Sequence, residues 1–342
     1  MDPSALGAKQ RATFYELQAA NRRNSILLIV AFIALVAALG FGLDVFFLGF
    51  DPTGQRGLPF PVATLAAIAF GSLYSLQGWY LGASQVLSAS NARPANPGNP
   101  QEKQFLNVVE EMSIAAGVPP PAAYVVPDSD PNAFAVGRDP RHASIAVTEG
   151  LLTALDREEL QGVVSHEMSH VRNLDIRAMT LVTALFGAAT LLADVARRGL
   201  YWGGGGRSSR RDSRGSGGGG VMLLLFVLWA LLAVLAPLLG QLLVFAVSRS
   251  REYLADASGA ELTRNPLGLA SALRKIGSAH EPTRLINQGS AHLCITDPRG
   301  LAVNESEGGM ANLLGTHPPI GKRIEILESM AGMVGAGPTM AG

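Results

Sequence analysis

Cysteine and charge are both scarce in this chain. Its single cysteine, Cys294, forms no internal disulfide and cannot build a thiolate metal cluster, and it suits a reducing compartment. Charged residues make up only 16% of the 342 residues, and the formal net charge is zero. Because the chain has no basic domain, we expect no nucleic-acid partner.

Hydrophobic residues, by contrast, make up 48% of the chain, which is too much for an ordinary soluble protein. Residues 25–43 carry no charge and span about 28 Å as a helix, which matches the core of a bilayer. Residues 58–81 are also uncharged. A cleaved signal peptide is the alternative for the first run, but 24 residues precede it and it is long for such a peptide. We predict a transmembrane hairpin over residues 25–82.

Two further hydrophobic stretches, 178–195 and 221–247, flank a loop of different character. Residues 201–220 are mostly Gly, Ser and Arg, so we expect this loop to be flexible. The sequence therefore predicts about four hydrophobic helices. The predicted parts are an N-terminal segment 1–24, the hairpin 25–82, a first polar lobe 91–176, a second hydrophobic hairpin 177–247, a second polar lobe 248–333 and a flexible tail 334–342.

The distribution of charge around the first hairpin predicts its orientation. Its short connection holds two acidic residues and Arg56 alone among the basic ones, whereas four basic residues precede the first run. These are Lys9, Arg11, Arg22 and Arg23. The positive-inside rule then places the N-terminus and, after two crossings, both polar lobes in the cytoplasm. The arginine-rich loop 201–220 would break that rule if it lay outside, so our hypothesis is that the second hairpin is partly buried or re-entrant, with its loop near anionic cytoplasmic lipids.

A single motif carries the chemistry. His166, Glu167 and His170 form an H-E-x-x-H pattern, and Asp156 with Glu159 forms a capping box that starts a helix ahead of it. Residues four apart share one helix face, so the two imidazoles can bind one zinc ion. Glu167 can then take the proton of a zinc-bound water. Two structural histidines are the alternative, but a buried Glu167 would then lack a partner, which is costly.

A third metal ligand is expected from a distant segment. Glu252 follows the last hydrophobic stretch on a polar helical pattern, and Asp256 lies four residues later on the same face. Glu252 can ligate while Asp256 accepts the free ring N–H of a ligand histidine. The alternative is a solvated Glu252 paired with Arg249 or Arg251.

The polar lobes also suggest a fold class. Residues 103–117 are predicted to form a helix, and residues 122–126 and 143–147 short strands, before the helix that carries the motif. We therefore predict an α-helical membrane protein with a cytoplasmic, α+β, zincin-type domain.

Four motifs in this order resemble those of the HtpX family of bacterial membrane metalloproteases, relatives of the CAAX prenyl proteases. The resemblance runs from about Ser25 to Leu327. The motifs are Asn132-Ala-Phe-Ala135, His166-Glu-Met-Ser-His170 followed by Asn173 and Asp175, Ser248-Arg-x-Arg-Glu-Tyr-x-Ala-Asp256, and Thr316-His-Pro-Pro319.

This resemblance implies a zinc endopeptidase that holds one Zn²⁺ per chain through His166, His170 and Glu252, with Glu167 as its catalytic base. It implies stress-related cleavage of misfolded or damaged membrane proteins at the bacterial inner membrane, where lipids are the other partner. It also places Asn132, Ala133, Phe134 and Ala135 beside the cleft, where an extended substrate could pair with an edge strand. An ordinary core strand is the alternative, above all for Phe134.

Other assignments stay open. His317 and Arg323 could stabilise the tetrahedral oxyanion, as suspected in the wider family. Alternatively, Pro318 and Pro319 open a helix and Arg323 is solvated. Two rival functions also remain: a narrow-specificity protease of the CAAX prenyl type, and a non-catalytic membrane scaffold stabilised by zinc. The sequence indicates no oligomeric state.

Overall fold

A computed structural model describes residues 14–55, 57–181, 183, 198, 219–278, 293–296 and 318–335. The chain divides into two compact units. The first comprises the described residues within Met1–Ser25, Trp79–Thr183 and Val244–Gly342, and the second those within Ile26–Gly78 and Ala184–Leu243. The elements in chain order are α1 (Phe14–Leu43), a π-helical turn (Asp44–Leu48), α2 (Val62–Ala89), β1 (Arg93–Pro94), α3 (Pro100–Ala116), β2 (Ala122–Val126), β3 (Ala133–Gly137), a 3-10 turn (Pro140–His142), β4 (Ala143–Thr148), α4 (Glu149–Ala154), α5 (Arg157–Arg172), α6 (Gly219–Thr263), α7 (Pro266–Gly277) and α8 (Ile320–Gly335).

The first unit contains a small mixed sheet of order β1-β2-β4-β3. Strand β2 runs parallel to β4, and the other neighbours are antiparallel. Strand β3 is buried throughout. A mostly helical chain with a mixed sheet agrees with the α+β prediction, and the strands predicted at 122–126 and 143–147 are both present.

Helix α3 begins where the sequence supplies a cap and ends at a glycine. The Asn99 side chain accepts hydrogen bonds from the backbone N–H groups of Gln101 and Glu102, and Gly117 closes the helix in the left-handed region with φ 67°. Its apolar face, which includes Phe105, joins the main core with residues of α5, α7 and β4. Helices α3 and α7 thereby hold α5 in place.

Helix α5 is fixed at its start. Asp156 accepts from the backbone N–H of Glu159 at 3.0 Å, and the Glu159 carboxylate accepts from the backbone N–H of Asp156 at 2.9 Å. The capping box predicted from the sequence is therefore confirmed. Ser271 and Lys275 of α7 donate to the same Glu159 carboxylate, so the cap also ties α5 to α7.

The second unit contains an antiparallel helical hairpin formed by parts of α1 and α2. Small residues allow a close approach: a Cβ on Gly71 would lie 2.8 Å from Val36, and one on Gly40 2.7 Å from the carbonyl oxygen of Ala63. At the turn, the Asp44 carboxylate accepts from the backbone of α2. Small residues at helix contacts are typical of helices that pack in a membrane.

Within the described part of the chain, one helix, Arg22–Leu48, is long and apolar enough to cross a membrane, and a shorter apolar helix covers Gly220–Leu232. The sequence predicts about four hydrophobic helices, and the described residues contain one that is long and apolar enough to span a membrane. Most of the stretch 178–195, nearly all of the loop 201–220 and most of the tail 334–342 lie outside the described residues.

Helix α6 is continuous over 45 residues, about 68 Å. The hydrophobic stretch and the polar pattern that follows it therefore form one helix, where the sequence suggested two. Its last part, residues 244–263, belongs to the first unit.

Candidate metal centre

The two histidines of the motif lie on one buried face of α5. His166 is fully buried and His170 nearly so, and their ring centroids are 4.9 Å apart. Helix α6 reaches this face through Gly259, where an added Cβ would lie 3.1 Å from the backbone nitrogen of His166. That close approach brings the side chains of α6 onto the histidines.

Glu252 of α6 completes a triangle with them. Its Oε2 lies 3.6 Å from His166 Nε2 and its Oε1 lies 3.6 Å from His170 Nε2. Tetrahedral zinc with bonds of about 2.0–2.1 Å places its ligand atoms about 3.3–3.4 Å apart. All three ligand atoms lie within 4.8 Å of one another. The three ligand atoms are therefore close enough to share one such ion, and the structure brings together the three residues predicted to hold it.

Two carboxylates orient the histidine rings. His166 Nδ1 lies 2.9 Å from Asp256 Oδ1, and His170 Nδ1 lies 3.2 Å from Asp175 Oδ2. A carboxylate at Nδ1 favours the tautomer with its proton there, which leaves the Nε2 lone pair for a metal.

The electrostatics of the site also favour a cation. Burial by itself would lower the pKa of His166, but the neighbouring carboxylates of Asp256 and Glu252 outweigh it and raise that pKa to about 9. For His170, burial is likewise outweighed by Asp175 and Glu252, which raise its pKa above the ordinary value. The carboxylates that raise these two pKa values create a negative potential at the site, and the same potential favours a divalent cation.

Glu167 is buried beside the triangle. The residue is 1% exposed, and neither carboxylate oxygen has a hydrogen-bond partner among the described residues. Burial raises its pKa above the ordinary glutamate value. A buried carboxylate without a protein partner is costly in a purely structural role, and it suits a group that exchanges a proton with water.

Arg323 of α8 is fully buried, which excludes the interpretation that it is solvated. Its guanidinium donates to both oxygens of Asp256 at 2.8 and 2.7 Å, and Nη1 lies 3.7 Å from Glu252 Oε2. Pro318 and Pro319 do directly precede α8. His317 lies outside the described residues, so its predicted role stays a prediction.

The segment predicted to bind substrate lies on β3 and just before it. Asn132, Ala133, Phe134 and Ala135 are all buried, and the outer edge of β3 pairs with residues 293–296 of the same chain. Ile295 N–H donates to the Ala133 carbonyl at 2.9 Å. An extended substrate could use this part of the edge only in place of residues 293–296, and the substrate-binding role stays a prediction.

The sequence motif contains Asp175 but predicts no role for it at the site. Asp175 is five residues after His170, a spacing that no helix face predicts. The chain turns between them at Leu174, whose φ of 62° is left-handed, and Asp175 returns to the ring. The left-handed residue carries no signal in the sequence, since leucine rarely adopts it.

Comparison with known proteins agrees with this geometry. Residues 99–331 match the model of peptidase family M48. The chain is 43% identical over 321 residues to a protease HtpX homolog of Thermoanaerobacter pseudethanolicus, covering 94% of this chain and 99% of that protein. It is 39% identical over 317 residues to a protease HtpX homolog of Streptococcus gordonii, covering 92% and 99%. Among solved structures, the crystal structure of S. mikatae Ste24p matches with a TM-score of 0.46 and 17% identity, over 92% of this chain and 67% of that one.

The family model and the two HtpX homologs confirm the resemblance drawn from the four motifs. The family model covers more than half of the chain, including the whole His166, His170 and Glu252 triangle. The chain therefore belongs to peptidase family M48, within its HtpX group of metalloproteases.

Proposed function

We propose that this chain is a membrane-bound zinc endopeptidase that cleaves misfolded or damaged membrane proteins, with its active site facing the cytoplasm of a bacterial cell. One observation carries the proposal: among the described residues, a buried triangle of two imidazoles and one carboxylate has beside it Glu167, whose oxygens have no hydrogen-bond partner there. Three protein ligands are typical of catalytic zinc, whereas structural zinc has four. Glu167 has no use in a site that serves only to stabilise the fold.

Zinc is the metal that this donor set favours, because two imidazoles with one carboxylate match known catalytic zinc sites. When bound, zinc supplies Lewis acidity, which lowers the pKa of water and polarises a carbonyl. Asp256 and Asp175 keep the rings of His166 and His170 in the ligating orientation.

Glu167 performs the proton transfers. Its carboxylate takes a proton from the water that attacks the scissile carbonyl and then delivers it to the nitrogen of the leaving amine. The raised pKa that burial gives Glu167 brings it closer to neutral pH, where both transfers are efficient. The apolar wall formed by Val163, Val164 and Met168 limits access of bulk water to α5.

Two features support membrane-protein substrates and a quality-control role. The same chain carries the apolar span Arg22–Leu48, so the protease and its substrates share a membrane. Recognition of extended chains by main-chain pairing accepts many sequences, which suits substrates that share only their unfolded state. Lipids around Arg22–Leu48 are the other partner that this proposal requires.

The first experiment is a comparison of wild type with Glu167→Gln, both purified in detergent and loaded with equal zinc. We expect wild type to cleave an unfolded membrane protein and an unfolded soluble protein, and Glu167→Gln to lose at least about 10²-fold of that rate while it keeps its zinc. His170→Ala is the companion variant, which should lose the metal itself.

Two outcomes would contradict the proposal. Loss of zinc from Glu167→Gln would mean that Glu167 holds the metal site together instead of acting as the base. Zinc-loaded wild type that leaves both unfolded proteins intact but cuts a prenylated peptide would indicate a narrow-specificity processing enzyme.

A further inference from the structure

Arg323 of α8 contacts two distant segments of the chain, namely α6, through Asp256 and Glu252, and residues 293–296, through Ile295. It binds both oxygens of Asp256, which orients His166, and it lies beside Glu252, a ligand itself. Its third donor, Nη1, is 2.7 Å from the carbonyl oxygen of Ile295. Three directed contacts with no exposed surface leave the guanidinium no freedom to swing towards a substrate.

A second arginine makes a related contact on the other histidine. Arg251 Nη1 lies 3.4 Å from Asp175 Oδ1, and Asp175 orients His170. Each ligand histidine is thus backed by a carboxylate, and each carboxylate by an arginine. Arg323 has the tighter geometry, because its fork holds Asp256 in the bidentate manner that arginine favours.

The charge of Arg323 also has a purpose there. Asp256, Glu252 and Glu167 are buried carboxylates of the centre, and buried charges are costly unless they are paired. The guanidinium of Arg323 holds both oxygens of Asp256 and lies 3.7 Å from Glu252, so it supplies the opposite charge that these two carboxylates need. Asp256 in turn lies 2.9 Å from Nδ1 of His166.

We propose that Arg323 is a positioning residue that acts on the metal through Asp256 and Glu252, and does not contact the substrate oxyanion. This inference rests on the proposed function only in taking the ion to be zinc. The inference predicts that removal of the Arg323 side chain weakens zinc binding, and that activity falls because less zinc is bound. Arg323 also fixes residues 293–296 along β3, so the same side chain joins the ligand cluster to the edge of the sheet.

The test is zinc affinity, measured by competition with a chromophoric chelator on the full chain in detergent, for Arg323→Gln, Arg323→Lys and Asp256→Asn. We expect each to bind zinc about 10–100-fold more weakly than wild type, in the range seen when a group that supports a ligand is removed. Lysine retains the charge but not the fork, so Arg323→Lys should recover part of the loss.

The double variant Asp256→Asn with Arg323→Gln decides whether the two residues act as a unit. It removes both charges, so no unpaired buried charge is left to unfold the protein. We expect the loss of zinc affinity in the double variant to be smaller than the two single losses combined, because the contact between Arg323 and Asp256 is removed only once. Arg274→Gln is the matched control. It breaks the ion pair between Arg274 of α7 and Glu328 of α8, the helix that also carries Arg323, and it should leave zinc affinity unchanged.

Two results distinguish failure of this inference from failure of the proposed function. Wild-type zinc affinity with a lowered kcat in Arg323→Gln and Arg323→Lys would overturn the inference and assign Arg323 to the oxyanion, while the zinc peptidase would stand. Absence of stoichiometric zinc from folded wild type would overturn the proposed function and this inference with it.

Discussion

Each histidine of the metal centre relies on one aspartate, and the two aspartates differ in how they reach it. Asp175 follows a left-handed residue and contacts His170 Nδ1 at 3.2 Å. We predict that Asp175→Asn lowers zinc affinity by about 10–100-fold, since an amide holds the imidazole less firmly and no longer strengthens it as a ligand. Isothermal titration with zinc, or competition with a chelator, measures this directly.

Asp139 provides the control for that prediction. It lies 2.8 Å from His142 Nδ1, so it also pairs with a histidine, but at a half-exposed turn away from the triangle. Asp139→Asn should therefore leave zinc affinity as in wild type. Equal losses in the two variants would show that Asp175 affects the fold in general and not His170 in particular.

For individual site residues, the sequence predicts the contacts that follow from their spacing along one helix. His166 with His170, and Glu252 with Asp256, are four residues apart on helices, and the structure places all four at one site. The contact of Arg323 with Asp256 joins residues 67 positions apart, and Asp175 depends on a turn at Leu174. Neither follows from periodicity, because each is set by how helices pack and where the chain reverses.

Among the elements, α5 depends on close contact with α7. A Cβ on Gly162 would lie 2.7 Å from the backbone nitrogen of Leu269, and backbone atoms cannot move aside as a flexible side chain can. We predict that Gly162→Ala destabilises the first unit by about 1–3 kcal/mol, the usual effect of overpacking a well-filled interior. Thermal unfolding of the detergent-purified, metal-free chain would show it as a lower Tm.

Gly332 of α8 is the matched position. It also lies in a helix, but nothing comes within 4 Å of a Cβ placed there. Gly332→Ala should hold or raise the Tm, because alanine favours a helix by about 0.5–1 kcal/mol over glycine. If Gly162→Ala behaved in the same way, α5 and α7 would have to be farther apart than described.

The ends of helices can be predicted from local sequence signals, whereas the pairing of strands cannot. Helix α3 is predicted at 103–117 and observed at Pro100–Ala116, where Asn99 and Gly117 supply the caps. The sequence contains no comparable signal for the order β1-β2-β4-β3, or for the pairing of Phe134 with Cys294. Both join segments that are far apart in the chain, so they depend on the packing of the whole unit.

For the whole molecule, orientation in the membrane is the main prediction that remains to be tested. Cys294 is 2% exposed, so introduced cysteines give the labelling signal with little background. We predict that Gln55→Cys, in the exposed turn after α1, reacts with an impermeant maleimide in intact protoplasts. Ile114→Cys, which is 76% exposed on α3, should react only after lysis, since the positive-inside rule places that lobe in the cytoplasm.

The reverse pattern would place the peptidase outside the cell and exclude cytoplasmic substrates. Labelling of both positions in intact protoplasts would show that the hydrophobic run 58–81, which lies between them in the chain, does not separate them across a membrane. Denatured protein labelled at both sites serves as the control for the intrinsic reactivity of the two cysteines.

The order in which the centre is assembled has a consequence for synthesis. Arg323 comes 157 positions after His166, and Glu252 lies between them. At about 5–20 residues per second, a ribosome needs about 8–30 s to pass from one to the other. A nascent chain therefore displays its base and two histidines long before it can hold a metal firmly. If Arg323 supports the metal as proposed, we expect a nascent chain to have no peptidase activity until Arg323 has been synthesised.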